Sequence, residues 1–163
     1  MLLNFAVQIF KRIQTLHEHS LLHRDIKPSN FLLSTDLITV HLIDFGFAKR
    51  YNFDGKHIDE TCTNSLIGSP NFVSLNVHNH FEPSRRDDME SAIYVLISLF
   101  SNGLLPWSNC QTLEQISRCK RTFTATAATT KVPLFIEPML SHVRELRFKD
   151  GPDYDYLISL ITT

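Results

Sequence analysis

The sequence predicts a mainly α fold with one small β-hairpin, and three patterns carry that reading. Phe5, Ile9, Ile13 and Leu16 recur at helical spacing near the start. The stretch from Asp87 to Phe100 is apolar on most sides, and Gly103 and Pro106 close it in the order expected of a helix stop. Two short apolar runs flank a polar turn between residues 31 and 43.

In chain order, Leu3 to His19 forms the first amphipathic helix, with Ala6 and Phe10 beside the main stripe and an end near Ser20. Phe31-Leu32-Leu33 and Val40-His41-Leu42-Ile43 read as strands around Ser34-Thr35-Asp36. A hairpin brings its outer ends together, so Asn30 and Asp44 are expected to be neighbours. From Asp44 to Asn76 the composition turns polar and periodicity disappears, which marks a long loop that binds substrate or regulates access. Asp87-Asp88 opens the second long helix. Leu113 to Arg121 is a short helix, and residues 124–130 are a low-complexity connector. Pro133 to Leu146 is a helix with Phe135, Met139, Leu140 and Val143 on its buried side and Pro133 in its first turn. Tyr154 to Ile161 is the last helix, and no internal repeat is visible.

At 163 residues, 43% hydrophobic and 20% charged, the chain has the composition of one ordinary globular domain. A net charge of -1 argues against bulk electrostatic capture of nucleic acid or anionic membrane. Cys62, Cys110 and Cys119 show no Cys-x-x-Cys pairing, so reduced thiols are expected rather than a disulfide framework or a thiolate zinc site. The N-terminus lacks the pattern of a secretory signal, because Asn4, Gln8, Lys11 and Arg12 interrupt it. Ala92 to Phe100 is far too short for a membrane span, which takes about 20 residues. An intracellular protein, cytoplasmic or nuclear, is the expectation.

The chemistry concentrates in His23-Arg24-Asp25-Ile26-Lys27-Pro28-Ser29-Asn30 and in Asp44-Phe45-Gly46. An Asp, a Lys and an Asn on one loop can point at a single small volume, and the Asp of a second loop adds another hard oxygen ligand. Such a volume suits Mg²⁺ and a triphosphate. Two other groupings carry less. His78-Asn79-His80 has no further ligand at metal spacing, and His17-Glu18-His19 lacks the second His of a zinc-protease helix, Leu21 standing there instead.

These residues resemble a protein kinase, with His23-Arg24-Asp25 as the catalytic-loop triplet and Asp44-Phe45-Gly46 as the metal-binding triplet. Leu42 to Lys49, Ser74-Leu75-Asn76, Ser84 to Ser91, Leu146-Arg147-Phe148 and Pro152-Asp153-Tyr154 resemble the casein kinase I group in particular. The likeness runs over nearly the whole chain and implies that residues 1–163 are the large, C-terminal lobe of a catalytic domain. The Gly-rich loop, strand Lys and helix Glu of a small N-terminal lobe have no counterpart in these residues.

The resemblance implies a Ser/Thr kinase that moves the γ-phosphate of Mg-ATP to protein hydroxyls. In it Asp25 orients or accepts the hydroxyl proton, Lys27 lends charge to the moving phosphoryl group, and Asn30 and Asp44 hold Mg²⁺. Ser69 matches the residue that bonds the catalytic Asp and Lys, and Asp88 the one that ties down the catalytic-loop backbone. Leu32 matches the floor beneath adenine, although taken alone it reads equally as a core strand residue. Arg24 matches a residue that in many kinases pairs with a phosphorylated loop, for which Thr61, Thr63 and Ser65 are candidates. Asn71 stands where the group has an anion-binding Arg, and the group's Lys-rich insert shrinks to Ser108-Asn109-Cys110-Gln111, which weakens recognition of phosphorylated or acidic substrates. The alternative is a catalytically dead kinase-like module that binds proteins, and either reading predicts an apolar face that invites a small lobe or self-association.

Overall fold

The computed structural model describes residues 2–125 and 132–162, so most of the 124–130 connector lies outside the described residues. Helix α1 (Leu2–Glu18) turns Ala6, Ile9, Phe10, Ile13 and His17 inward, as its apolar spacing requires. Strands β2 (Phe31–Leu33) and β3 (Val40–Leu42) pair antiparallel, with Phe31 opposite Leu42 and Leu33 opposite Val40.

Two further antiparallel ladders are present, so the strand content exceeds one hairpin. β1 (Leu21–Leu22) pairs with β4 (Lys49–Arg50), and β5 (Asn52–Phe53) pairs with β6 (Lys56–His57). Strands of two residues have no alternation to read, which hides them in sequence. The segment that reads as loop also holds a single helical turn, α2 (Leu75–His78), where Ser74 Oγ accepts from Val77 N at 3.1 Å.

Helix α3 (Arg85–Phe100) is the axis of the molecule, with residues 86–98 all buried. It packs on α1 and on α5 (Ile136–Glu145), while α6 (Tyr154–Thr162) lies against α1. α3 starts at Arg85 rather than Asp87 because Asp87 sits inside a capping arrangement, its Oδ2 accepting from Ser84 N at 2.7 Å. α5 likewise starts at Ile136, beyond Pro133, whose carbonyl accepts from Ile136 N in a preceding turn. Phe135 is therefore only half-buried, edge-on to Phe100, and Ile136 takes the core position.

The first turns of α3 are charged as well as buried, and an unpartnered charge in a core costs several kcal/mol, on the order of 3–5. Each charge is partnered. Asp87 accepts from Ser74 Oγ and Asn76 Nδ2, and Glu90 from Tyr94 O–H and Arg144 Nε. Arg86 reaches Leu146 O and Glu60, and Asp88 faces the loop that follows β1. The helix thus serves as core on one side and as a polar post on the other.

Candidate active site

The loop after β1 is held from below by Asp88. Its Oδ2 accepts from His23 N at 2.7 Å and its Oδ1 from Arg24 N at 2.9 Å. His17 Nε2 also donates to Oδ2 at 3.0 Å, and Tyr154 O–H donates to His17 Nδ1 at 2.7 Å. With this anchoring Arg24 occupies a left-handed conformation, φ +67°, which a non-glycine residue holds only when its surroundings fix it. Burial pushes the Asp88 carboxyl up, but the His17, His23 and Arg24 donors outweigh it and hold the group below the usual carboxylate range.

The loop then presents Asp25, 4% exposed, to three donors. Lys27 Nζ lies 2.6 Å from Oδ2, Ser69 Oγ donates to Oδ1 at 2.8 Å, and Asn30 Nδ2 donates to the Asp25 backbone carbonyl at 2.8 Å. Burial raises the Asp25 carboxyl, yet the Lys27 and Ser69 hydrogen bonds bring it below its ordinary value, so the group is an ionised acceptor at neutral pH.

Asp44 stands differently from these three. The hairpin closes with Ile43 N donating to Asn30 O at 2.9 Å, and His23 Nε2 donates to Ile43 O at 2.9 Å, so the two loops meet through backbone. The Asp44 carboxylate is exposed and caps its own turn, Oδ1 accepting from Gly46 N at 3.3 Å at a φ of +63°. Asp25, Lys27 and Asn30 form one bonded cluster, and the Asp44 side chain makes no hydrogen bond to it. Amide and carboxylate oxygens are the donor types a hard dication takes, but among the described residues no three His, Cys, Asp or Glu side chains stand together as a complete metal cage. Mg²⁺ characteristically uses one or two protein carboxylates and completes its shell from phosphate and water.

Ser69 reaches Asp25 because Gly68 comes first. At φ +100°, a Cβ on Gly68 would lie 2.6 Å from the Arg24 carbonyl, so only glycine permits this approach. Residues 70–73 are then supported from beneath by two side chains to which the sequence reading gave no role in the site. Trp107 Nε1 donates to Asn71 O at 2.8 Å, and Lys120 Nζ donates to Pro70 O at 2.8 Å, to Val73 O at 2.7 Å and to His78 Nε2 at 3.1 Å. Lys120 is fully buried, its ammonium 4.8 Å from the Tyr94 ring centroid and 5.5 Å from that of Trp107. Burial and the Lys120 charge pull His78 down to about 4, so it is neutral and free to accept. His78 is spent on this support, and His80 beside it is exposed. Lys120→Met keeps the length and removes the donors; it is expected to cost about 1–3 kcal/mol in urea unfolding and to speed amide exchange at Phe72 and Val73. Unchanged exchange at both amides would count against a supporting role.

Above this support, Lys27, Ser69, Pro70, Asn71, Cys110 and Ile116 line part of a groove of about 430 Å³. Arg24, matched to a phosphate-pairing residue, already has other partners. Its Nε donates to Phe47 O at 2.6 Å and its Nη1 lies 3.3 Å from Glu82 Oε1, which Lys49 Nζ also meets at 3.0 Å. A buried carboxylate therefore occupies the Arg24 and Lys49 cations without phosphorylation. Leu32 is 51% exposed, which removes its reading as a core strand residue. Leu33, Leu37, Ile38, Phe45 and Phe47 are also exposed, an apolar display along the hairpin and the turn after Asp44.

Residues 2–148 match the family profile of the protein kinase domain. The chain is 40% identical to casein kinase I homolog 2 of Saccharomyces cerevisiae, over 92% of this chain and 30% of that protein. It is 38% identical to casein kinase I homolog 2 of Schizosaccharomyces pombe, over 95% of this chain and 38% of that protein. The chain thus spans between 30% and 38% of these relatives' lengths. With a kinase profile over most of its length and a helical lobe built around the Asp25 loop, the chain belongs to the protein kinase family as a casein kinase I-like member.

Proposed function

We propose that these residues are the large lobe of a Ser/Thr protein kinase of casein kinase I type, which moves the γ-phosphate of Mg-ATP to Ser or Thr hydroxyls of proteins. One observation carries the reading: the ionised Asp25 carboxylate is held between Lys27 and Ser69 at the edge of an open groove. Asp25 receives the hydroxyl proton, and Ser69 fixes the plane of its carboxylate. Lys27, already 2.6 Å from Asp25, places a cation beside the reacting centre. Asn30, its amide N–H₂ committed to the Asp25 backbone, keeps a carbonyl oxygen for the dication, and Asp44 offers its exposed carboxylate. Leu32, exposed on β2, supplies apolar floor for the base of the nucleotide. When bound, Mg-ATP brings the phosphoryl group and a dication that neutralises its oxygens.

Protein substrates would occupy the groove beside Lys27, Ser69 and Asn71, and Asn71 offers no charge to an anionic side chain. We assign the protein to the cell interior; among the described residues no helix is long and apolar enough to cross a membrane. The exposed apolar display around Leu32, Leu33, Phe45 and Phe47 supports a seat for a small lobe or a second copy. The decisive experiment joins a casein kinase I small lobe ahead of residue 2 and measures phosphate transfer from Mg-ATP to casein. Transfer is expected in the joined protein, while the 163-residue chain alone falls short by several powers of ten, since one preorganised charge contact is worth about 10²–10³ in rate. A joined protein that folds and binds nucleotide yet transfers nothing would favour the non-enzymatic reading. In sedimentation the chain alone is expected to associate, and a strictly monomeric boundary at high concentration would remove the case for an interaction face.

A further inference from the structure

Cys110 and Cys119 lie apart in sequence but face each other, Sγ to Sγ, at 3.5 Å. Both are reduced and half-buried, whereas the third cysteine, Cys62, is exposed. Cys119 sits within helix α4 (Leu113–Thr122), whose N-cap Thr112 accepts from Gln115 N. Cys110 belongs to the segment leading into that cap, so one sulfur rides on a rigid element and the other on a short connector. From this geometry we infer that Cys110 and Cys119 are a peroxide-sensitive thiol pair whose oxidation to a disulfide reshapes the substrate groove.

A disulfide needs sulfurs about 2.05 Å apart, so the pair must close by roughly 1.5 Å. The connector is the part able to give. Cys110 lines the groove together with Lys27, Ser69 and Asn71, so its displacement changes the groove wall. It is also linked to the far wall: Cys110 N donates to Trp107 O at 3.0 Å, and Trp107 Nε1 donates to Asn71 O. The hydrogen bond with Cys119, followed by burial, pushes the Cys110 thiol up; either sulfur can donate across the contact, and either can attack the oxidant.

The chemistry closes with hydrogen peroxide as oxidant. In the order that begins at Cys119, its thiolate attacks one peroxide oxygen, the O–O bond breaks, and hydroxide leaves to be protonated as water; the order that begins at Cys110 balances in the same way. Cys119 is then a sulfenic acid. The Cys110 sulfur attacks the Cys119 sulfur, the S–O bond breaks, and the departing hydroxide takes the Cys110 proton as a second water. Two thiols and one peroxide give one disulfide and two waters, and a small thiol reverses the step by exchange.

The pair itself needs no assumption about activity; its effect on substrate rests on the kinase reading. The test uses the whole chain carrying Cys62→Ser, treated with dilute hydrogen peroxide and mapped by peptide mass. An intramolecular Cys110–Cys119 disulfide is expected, forming about tenfold or more faster in the folded chain than in urea because folding preorganises the sulfurs, and reverting with dithiothreitol. Equal rates in the two states, or separate oxidation of each sulfur to sulfinic acid, would overturn the pair. In the oxidised chain, amide exchange at Asn71 and Phe72 should change while that of α3 stays fixed, and Cys110→Ser should abolish the change. A disulfide that forms without altering those amides would overturn the coupling to the groove and leave the kinase reading to its own transfer assay.

Discussion

Asn at position 25 is expected to lower kcat of the lobe-completed enzyme by about 10²–10⁴-fold, the range for removing a positioned proton acceptor. The carboxylate is nearly enclosed, and both of its oxygens are already committed, one to Lys27 and one to Ser69. An amide in the same place has one acceptor oxygen, so it either turns its N–H₂ toward the Lys27 ammonium or gives up Ser69. In both orientations it cannot take the proton of an attacking hydroxyl. The KM for ATP is expected to move less than kcat, because Asn30, Leu32 and Asp44 are untouched and Lys27 keeps its charge while losing only its bond to Asp25. The depressed carboxyl adds a pH signature. Asp25 stays ionised as pH falls through the ordinary Asp value of 3.8, so protonation of this group does not set the acid limb of kcat at mildly acidic pH. Steady-state phosphorylation of casein checks both statements, and a kcat within a few-fold of the parent would remove Asp25 from its assigned role.

The sequence showed what is local and hid what is distant. Helical spacing revealed α1, an apolar run closed by Gly103 and Pro106 revealed α3, and the 23–30 and 44–46 motifs marked the loops that meet at the site, because these signals reside in neighbouring residues. The β2–β3 hairpin was equally legible, its strands being just long enough to stand out against the turn. Glu82 was not: a single Glu before Pro83 gives no hint that it will neutralise Arg24 and Lys49. Lys120 drew no notice within its short helix, yet its partners are the carbonyls of Pro70 and Val73, far back in the chain. His17 looked like a helix end and is a buried link between Tyr154 and Asp88. Cys110 and Cys119 show no pairing motif because a helix and its approach, not a Cys-x-x-Cys turn, bring them together. Each of these is a tertiary contact between individual side chains or backbone groups, and periodicity carries no trace of it.

Asp88→Ala is expected to be among the most damaging single changes to the fold, costing about 3–5 kcal/mol in urea unfolding, the loss associated with breaking a buried charge network. The backbone amides of His23 and Arg24 would lose their acceptor inside the protein, each a penalty of about 1–3 kcal/mol, and His17 Nε2 would lose its partner as well. A half-exposed pair gives the contrast: Asp150→Ala breaks the bridge to the largely exposed Arg147 and the hydrogen bond to its backbone N–H, and should cost no more than about 1–2 kcal/mol. Acid adds a second measurement. The Asp88 carboxyl is held below 3.8 in the folded chain, so its contribution is complete above that value and disappears as pH falls through the lower folded-state value. The parent should therefore lose stability on acidification below 3.8 by a component that Asp88→Ala lacks. The damage should also reach the site before the chain unfolds, because Arg24 keeps its left-handed backbone only while the two amides are pinned. Released, the loop no longer has reason to hold Asp25 against Ser69. A loss under about 1 kcal/mol, with exchange at the His23 and Arg24 amides unchanged, would mean that the loop holds its own shape and that α3 merely packs beneath it.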